Sequence, residues 1–176
     1  MHEWIKADGR FGRIGIEGHS QGGVVTAMLA GQLGKKAFKG GVVLLAPAGV
    51  LRDDAIRGNV PGQANPTGDP QDPPEYVEVW GHRLGRDYIR TAFWLPIYET
   101  AAGYKGRACI VHGTSDRTVP YTYGLRFHQL WKQSEWHLLD HYDHGFGPHP
   151  EEAVKLAVAF FSKTLGTVRH SGQKAR

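Results

Sequence analysis

A single cysteine, no long apolar run, no internal repeat and no low-complexity segment remove several classes of protein at once. Cys109 cannot close an internal disulfide. Its place in the apolar run 107–112 reads as a small buried hydrophobe, so the fold does not depend on an oxidising compartment. No stretch approaches the roughly 18 apolar residues of a membrane span, and no membrane partner is expected. The opening Met1-His2-Glu3-Trp4-Ile5-Lys6 holds no secretory h-region, which makes a cytoplasmic location the default expectation. The formal charge of +4 and the pI near 9.2 look basic. The excess is scattered, however, over Lys35, Lys36 and Lys39 and the tail residues Arg169, Lys174 and Arg176. A nucleic-acid binder would carry a basic stripe with interleaved aromatics, and none is found.

What is present is ample for one domain. The 176 residues, 40% of them apolar, can bury a core but do not argue for two domains. With 22% charged and 11% aromatic residues, the composition is neither disordered nor fibrous. Residues 3–6 read as the end of an amphipathic helix broken at Asp8-Gly9. Arg13-Ile14-Gly15-Ile16-Glu17 alternates between glycines and reads as a strand. From Gly22 to Leu33, Val24, Val25, Met28, Leu29 and Leu33 recur at helical spacing, and Gly34 supplies a stop. Residues 41–46 form a continuous apolar run closed by Pro47, which suits a strand buried on both faces. Ala108-Cys109-Ile110-Val111 and residues 135–139 read the same way. Helices are expected over 121–131 and 151–165, the latter with Glu151 and Glu152 in its first turn. Its expected buried face is Val154, Ala157, Phe161 and Leu165. Between Ala48 and Tyr104 the pattern changes. Residues 59–74 hold Pro61, Pro66, Pro70, Pro73 and Pro74 and read as an irregular excursion, followed by a helix over 86–95. The order implies an α/β fold, a mostly parallel sheet flanked by helices.

Gly18-His19-Ser20-Gln21-Gly22 matches Gly-x-Ser-x-Gly, with a strand before it and a helix after it. In that setting a sharp turn lifts the serine hydroxyl above the sheet edge, and the flanking glycines relieve crowding. The Gln21 N–H, at the helix start, would face a developing oxyanion. A serine at neutral pH needs a base, and the base needs an orienting carboxylate. Asp116 lies in a loop directly after the strand ending at Val111, and His144 in a loop after the strand ending at Leu139. Ser20, Asp116 and His144 are therefore the expected nucleophile, acid and base. His141, three residues away, is the competitor for the base. His137, His141, His144 and His149 could otherwise hold a metal. However, His137 sits in a strand and the only cysteine is elsewhere, so neither metal nor cofactor is expected.

These motifs, with Leu95-Pro96-Ile97-Tyr98-Glu99 and Asp143-His144-Gly145-Phe146, closely resemble the feruloyl (cinnamoyl) esterases of the α/β-hydrolase superfamily. The resemblance spans residues 13–165. It implies an ester as the small-molecule partner and a small cap, about residues 50–104, beginning near Asp54-Ala55-Ile56-Arg57-Gly58-Asn59. It also implies substrate contacts from Asp54 and Tyr88, and from His19 beside the serine. Where the family often has Thr-Gln-Gly, this chain has Val60-Pro61-Gly62, with Gln63 displaced. The family's fold places several strands and helices before the serine turn, including the loop that donates a second oxyanion N–H. Only about a dozen residues precede the strand here, so the resemblance implies a partial fold, poorly soluble or weakly active alone. Other readings stay open: a lipase-like esterase, an acyl-peptidase, a thioesterase, or a non-catalytic remnant.

Overall fold

Aliphatic residues crowd two short runs of the chain, and those runs become the interior of the sheet. The computed structural model describes residues 2–60, 69 and 71–166. The first half runs α1 (His2–Ala7), β1 (Gly15–His19), α2 (Gln21–Leu33), β2 (Gly41–Leu45), α3 (Leu51–Ile56), β3 (Tyr76–Val79) and β4 (His82–Gly85). It continues with α4 (Arg86–Trp94), α5 (Ile97–Ala101), β5 (Ala108–Gly113), α6 (Tyr121–Leu130), β6 (Ser134–Leu139) and α7 (Glu151–Leu165). The main sheet has four strands in the order β1-β2-β5-β6, all parallel.

β2 and β5 are buried along their whole length, as an interior parallel strand requires. Their side chains alternate between two cores. Val42, Leu44 and Ile110 join Ala27, Ala30, Ile97, Phe127 and Trp131 on the face covered by α2, α5 and α6. Val43, Leu45, Cys109 and Val111 pack against Ala153, Ala157 and Phe160 of α7 on the other. Thr164 fastens the end of α7 by donating its hydroxyl to the Gly40 carbonyl, beside the start of β2.

Several expectations need correction. β6 is an edge strand, only half-buried, because the β1-β2-β5-β6 order leaves it one partner among the described residues. β1 starts two residues later than the alternation suggested and runs to His19, which brings it to the edge of the serine turn. The buried face of α2 is Gly23, Val24, Thr26, Ala27 and Ala30, whereas Val25 is 65% exposed. On α7 the expected Ala157 is buried, but Ala153, Phe160 and Thr164 join it in place of Val154, Phe161 and Leu165, and Val154 is 54% exposed. Glycine, alanine and threonine hold most of these places, with Val24 and Phe160 the larger exceptions.

The excursion is more regular than its prolines suggested. β3 and β4 form an antiparallel hairpin whose turn residues, Trp80 (φ 50°) and Gly81 (φ 78°), are both left-handed. Val77 and Val79 pack with Ile89 of α4 and Val60 into a small separate core. Pro61, Gly62 and Gln63, with Pro66 and Pro70, lie outside the described residues, as do Arg169, Lys174 and Arg176 of the tail. The lysines of the first basic group, close in sequence, are joined in the fold by other basic residues. Lys35, Lys36 and Lys39 share one surface depression with Arg13, Lys105 and Arg107. Among the described residues no helix is long and apolar enough to cross a membrane.

Candidate active site

The turn after β1 places Ser20 at φ 54° and ψ −120°, a region that a non-glycine residue occupies only when its surroundings hold it there. Two backbone bonds do so. Ser20 N–H donates to the Leu45 carbonyl at 2.9 Å, and the Ser20 carbonyl accepts from Ala48 N–H at 2.9 Å. A Cβ at Gly18 would overlap the Gly22 carbonyl, and one at Gly23 would meet the Pro47 backbone at 2.9 Å. A Cβ at Gly22 would meet nothing within 4 Å. The crowding is thus relieved by Gly18 and Gly23, and not by the second glycine of the motif. Gln21 opens α2, so its N–H belongs to the helix end where the first donors lack intrahelical acceptors. It lies on the wall of the pocket above Ser20.

The loops after β5 and β6 are laced together. Thr114 N–H donates to the Leu139 carbonyl, and Ser115 N–H to the Tyr142 carbonyl, both at 2.9 Å. The Thr114 hydroxyl donates to Asp140 and accepts from His141 N–H. Gly113 permits this approach, since a Cβ there would overlap the Tyr142 carbonyl. Asp143 shapes the next turn by accepting from Gly145 and Gly147 N–H at 2.9 and 2.8 Å. His19 donates from Nε2 to the His144 carbonyl at 2.8 Å, bracing the same turn from β1.

These constraints bring three expected residues together. Ser20 Oγ lies 2.9 Å from His144 Nε2, and His144 Nδ1 donates to Asp116 Oδ2 at 2.7 Å. The carboxylate can only accept, so Nδ1 carries the proton and Nε2 is free to take one from Ser20. The competitor His141 points away, its ring 89% exposed and paired with Asp140 at 3.2 Å. Burial alone would raise the Asp116 carboxyl. Hydrogen bonds from His112, His144 and the Val119 N–H outweigh it and hold the group well below the usual carboxylate range.

A pocket of about 290 Å³ opens above Ser20, lined in part by His19, Leu51, Asp54, Trp80 and Val119. Asp54 therefore shares the pocket with the serine. Burial pushes its carboxyl up, against the pull of Arg57 and Asn59. Tyr88 does not line this pocket but a neighbouring apolar groove between α2 and α4. It is tied to the site through Gln21, whose Nε2 donates to the Tyr88 hydroxyl at 2.6 Å. Burial, then the nearby Asp54 charge, raises the phenol.

The four histidines do not gather. His149 pairs at the surface with Glu151. The expectation that Cys109 lies apart from the histidines fails at one place. Cys109, Glu135 and His137, neighbours on β5 and β6, bring potential ligand atoms within 4.8 Å of one another. Burial pushes the Cys109 thiol up to about 12, and the Lys163 ammonium lies 3.8 Å from Glu135, so both compete with a cation there. Sequence reasoning missed Trp80, Gly23, Gly113 and His112 as parts of the site. For His112 the signal was present as its four-residue spacing to Asp116.

Fold and geometry together define the chain as an α/β-hydrolase. It belongs to the prolyl oligopeptidase family, whose model matches residues 2–168. No curated protein matches the sequence. Among solved structures it is similar to Est1E from Butyrivibrio proteoclasticus, with a TM-score of 0.81 at 23% identity over 93% of this chain and 67% of that one. Est1E with ferulic acid bound gives 0.82 at 23% identity, covering 93% of this chain and 66% of the other. A monoacylglycerol lipase from Paleococcus ferrophilus gives 0.59 at 18% identity, covering 91% of this chain and 72% of that one. The chain thus spans about two thirds of the length of the Est1E structures it matches.

Proposed function

We propose that this chain carries the catalytic centre of a serine esterase acting on carboxylic esters, with aryl and hydroxycinnamoyl esters as the preferred class. The observation that carries the reading is the unbroken hydrogen-bond path from Ser20 through His144 to Asp116. Ser20 Oγ attacks the ester carbonyl while His144 Nε2 takes its proton. Asp116 holds the imidazole and stabilises its charge. The Gln21 N–H stabilises the oxyanion, with the helix end favouring negative charge. The protonated His144 then gives its proton to the leaving alcohol, and an acyl-Ser20 remains until water, deprotonated by His144, releases the acid. Val50, Leu51, Asp54 and Trp80, which border the pocket, would shape acyl choice as parts of a cap. The ferulic acid bound to Est1E supports the aryl preference as an analogy of fold.

A fluorophosphonate probe should label the protein at Ser20 and fail on Ser20→Ala. Methyl ferulate should be turned over faster than p-nitrophenyl butyrate; the reverse order removes the hydroxycinnamoyl preference. The family match favours a second reading, an acyl-peptidase using the same triad. Turnover of an acyl-amino-acid p-nitroanilide without ester preference would select it.

A further inference from the structure

His112 is a fully buried imidazole that the triad mechanism does not use. It sits near the end of β5, and its Nε2 lies 2.9 Å from the Val119 carbonyl and 3.1 Å from Asp116 Oδ2. A carbonyl and a carboxylate can only accept, so Nε2 carries the proton and is shared between them. Nδ1 is buried and, among the described residues, has no hydrogen-bond partner. A proton there would be sealed without an acceptor, which fixes the tautomer with Nδ1 bare. Gly124 of α6 makes room for the ring: a Cβ at that position would overlap Nδ1, and the Trp136 ring closes the same side.

The acceptor side is equally specific. Asp116 Oδ1 takes the N–H groups of Thr118 and Val119 at 2.9 and 2.8 Å. Oδ2 takes His144 Nδ1 at 2.7 Å and His112 Nε2 at 3.1 Å. The oxygen that orients His144 is therefore also held by a second imidazole.

We propose that His112 is a positioning residue of the triad, a second imidazole donor that fixes the rotation of the Asp116 carboxylate and tempers its charge toward His144. The proposal rests on reading Ser20, His144 and Asp116 as the triad. Removing the donor takes one of the four hydrogen bonds that hold the carboxylate and leaves more negative charge on Oδ2. That charge favours the protonated His144, so the acidic limb of the kcat/KM profile moves to higher pH by roughly 0.5–1 unit. Among the described residues, the polar groups in contact with the His144 ring are Asp116, Ser20 and His19, and of these Asp116 is the one altered. His112 does not reach the pocket, so KM stays while kcat falls on the order of 10- to 100-fold.

The test uses the 176-residue chain, with selective ¹⁵N-histidine labelling, and His112→Leu and His112→Gln. In the parent, His112 should show a protonated Nε2 and a bare Nδ1; a protonated Nδ1 overturns the proposal without any variant having to fold. His112→Leu should shift the far-downfield His144 Nδ1 proton and move the acidic limb, while His112→Gln, which keeps a donor, should restore both. A rate loss in His112→Leu with the limb and the proton unmoved assigns His112 a packing role only. The proton resonance needs the hydrogen bonds but no turnover. A parent with the expected resonances that the fluorophosphonate probe does not label at Ser20 therefore sinks the esterase reading and leaves the positioning role standing.

Discussion

Gly113→Ala tests how the triad is assembled, because it adds one methyl group at a residue that does not line the pocket. Gly113 ends β5 outside the left-handed region, so its backbone conformation alone accepts alanine. The obstacle is contact: the new Cβ would overlap the carbonyl of Tyr142, a backbone atom that cannot rotate away. The acid loop and the histidine loop must then part by roughly 1 Å, a displacement that can cost on the order of 100-fold when it separates reacting groups. The bonds most exposed to this parting are Thr114 N–H to Leu139 and Ser115 N–H to Tyr142, both 2.9 Å. Overpacking of this kind destabilises by about 1–3 kcal/mol, which for a domain of this size lowers Tm by roughly 2–4 °C per kcal/mol. The assays are kcat on p-nitrophenyl butyrate, the fluorophosphonate labelling rate and a thermal melt. The expected pattern is a large fall in kcat and labelling, a modest fall in Tm and an unchanged KM. Turnover within twofold of the parent would refute the claim that loop approach at Gly113 sets the His144–Asp116 geometry.

Other consequences are open to measurement. Hydrogen bonding depresses the Asp116 carboxyl, so its stabilisation is present above the ordinary carboxylate pKa of about 3.9 and fades as pH falls toward the folded value. The stability gap between parent and Asp116→Asn, followed by urea melts, should therefore be widest near neutrality and close in acid. Asp54 behaves oppositely. Burial raises it, so the ionised form penalises the fold above the raised pKa and the penalty vanishes as pH falls through it. Asp54→Asn should raise Tm at pH 7 and lose that gain in acid. The Cys109 thiol, buried and pushed up to about 12, should ignore a disulfide reagent in the native protein and react promptly in urea.

What the sequence disclosed and what it hid divide along physical lines. Interior strands announce themselves, because burial on both faces leaves runs such as Val42-Val43-Leu44-Leu45 with no polar interruption. The polar residues of the site were readable because each follows the C-terminal end of a strand, where loops of a parallel sheet converge. Helix faces were misread where size misled. Val25 and Val154 look like core residues, yet the buried places go to Ala27, Ala30 and Ala153. The β3–β4 hairpin was hidden because Trp80 enters the left-handed region without being glycine or asparagine. His112 was hidden because its value lies in a contact that only the folded loop creates.

Ser20 carries a tension that any effort to make this protein sturdier would meet. Its main chain is bent into a shape that suits a residue without a side chain, so Ser20→Gly should refold to a more robust molecule. The same exchange deletes the hydroxyl on which the proposed chemistry turns. Selection for heat resistance alone would therefore drift toward a durable but inert descendant, and only pressure on turnover would keep serine at this corner.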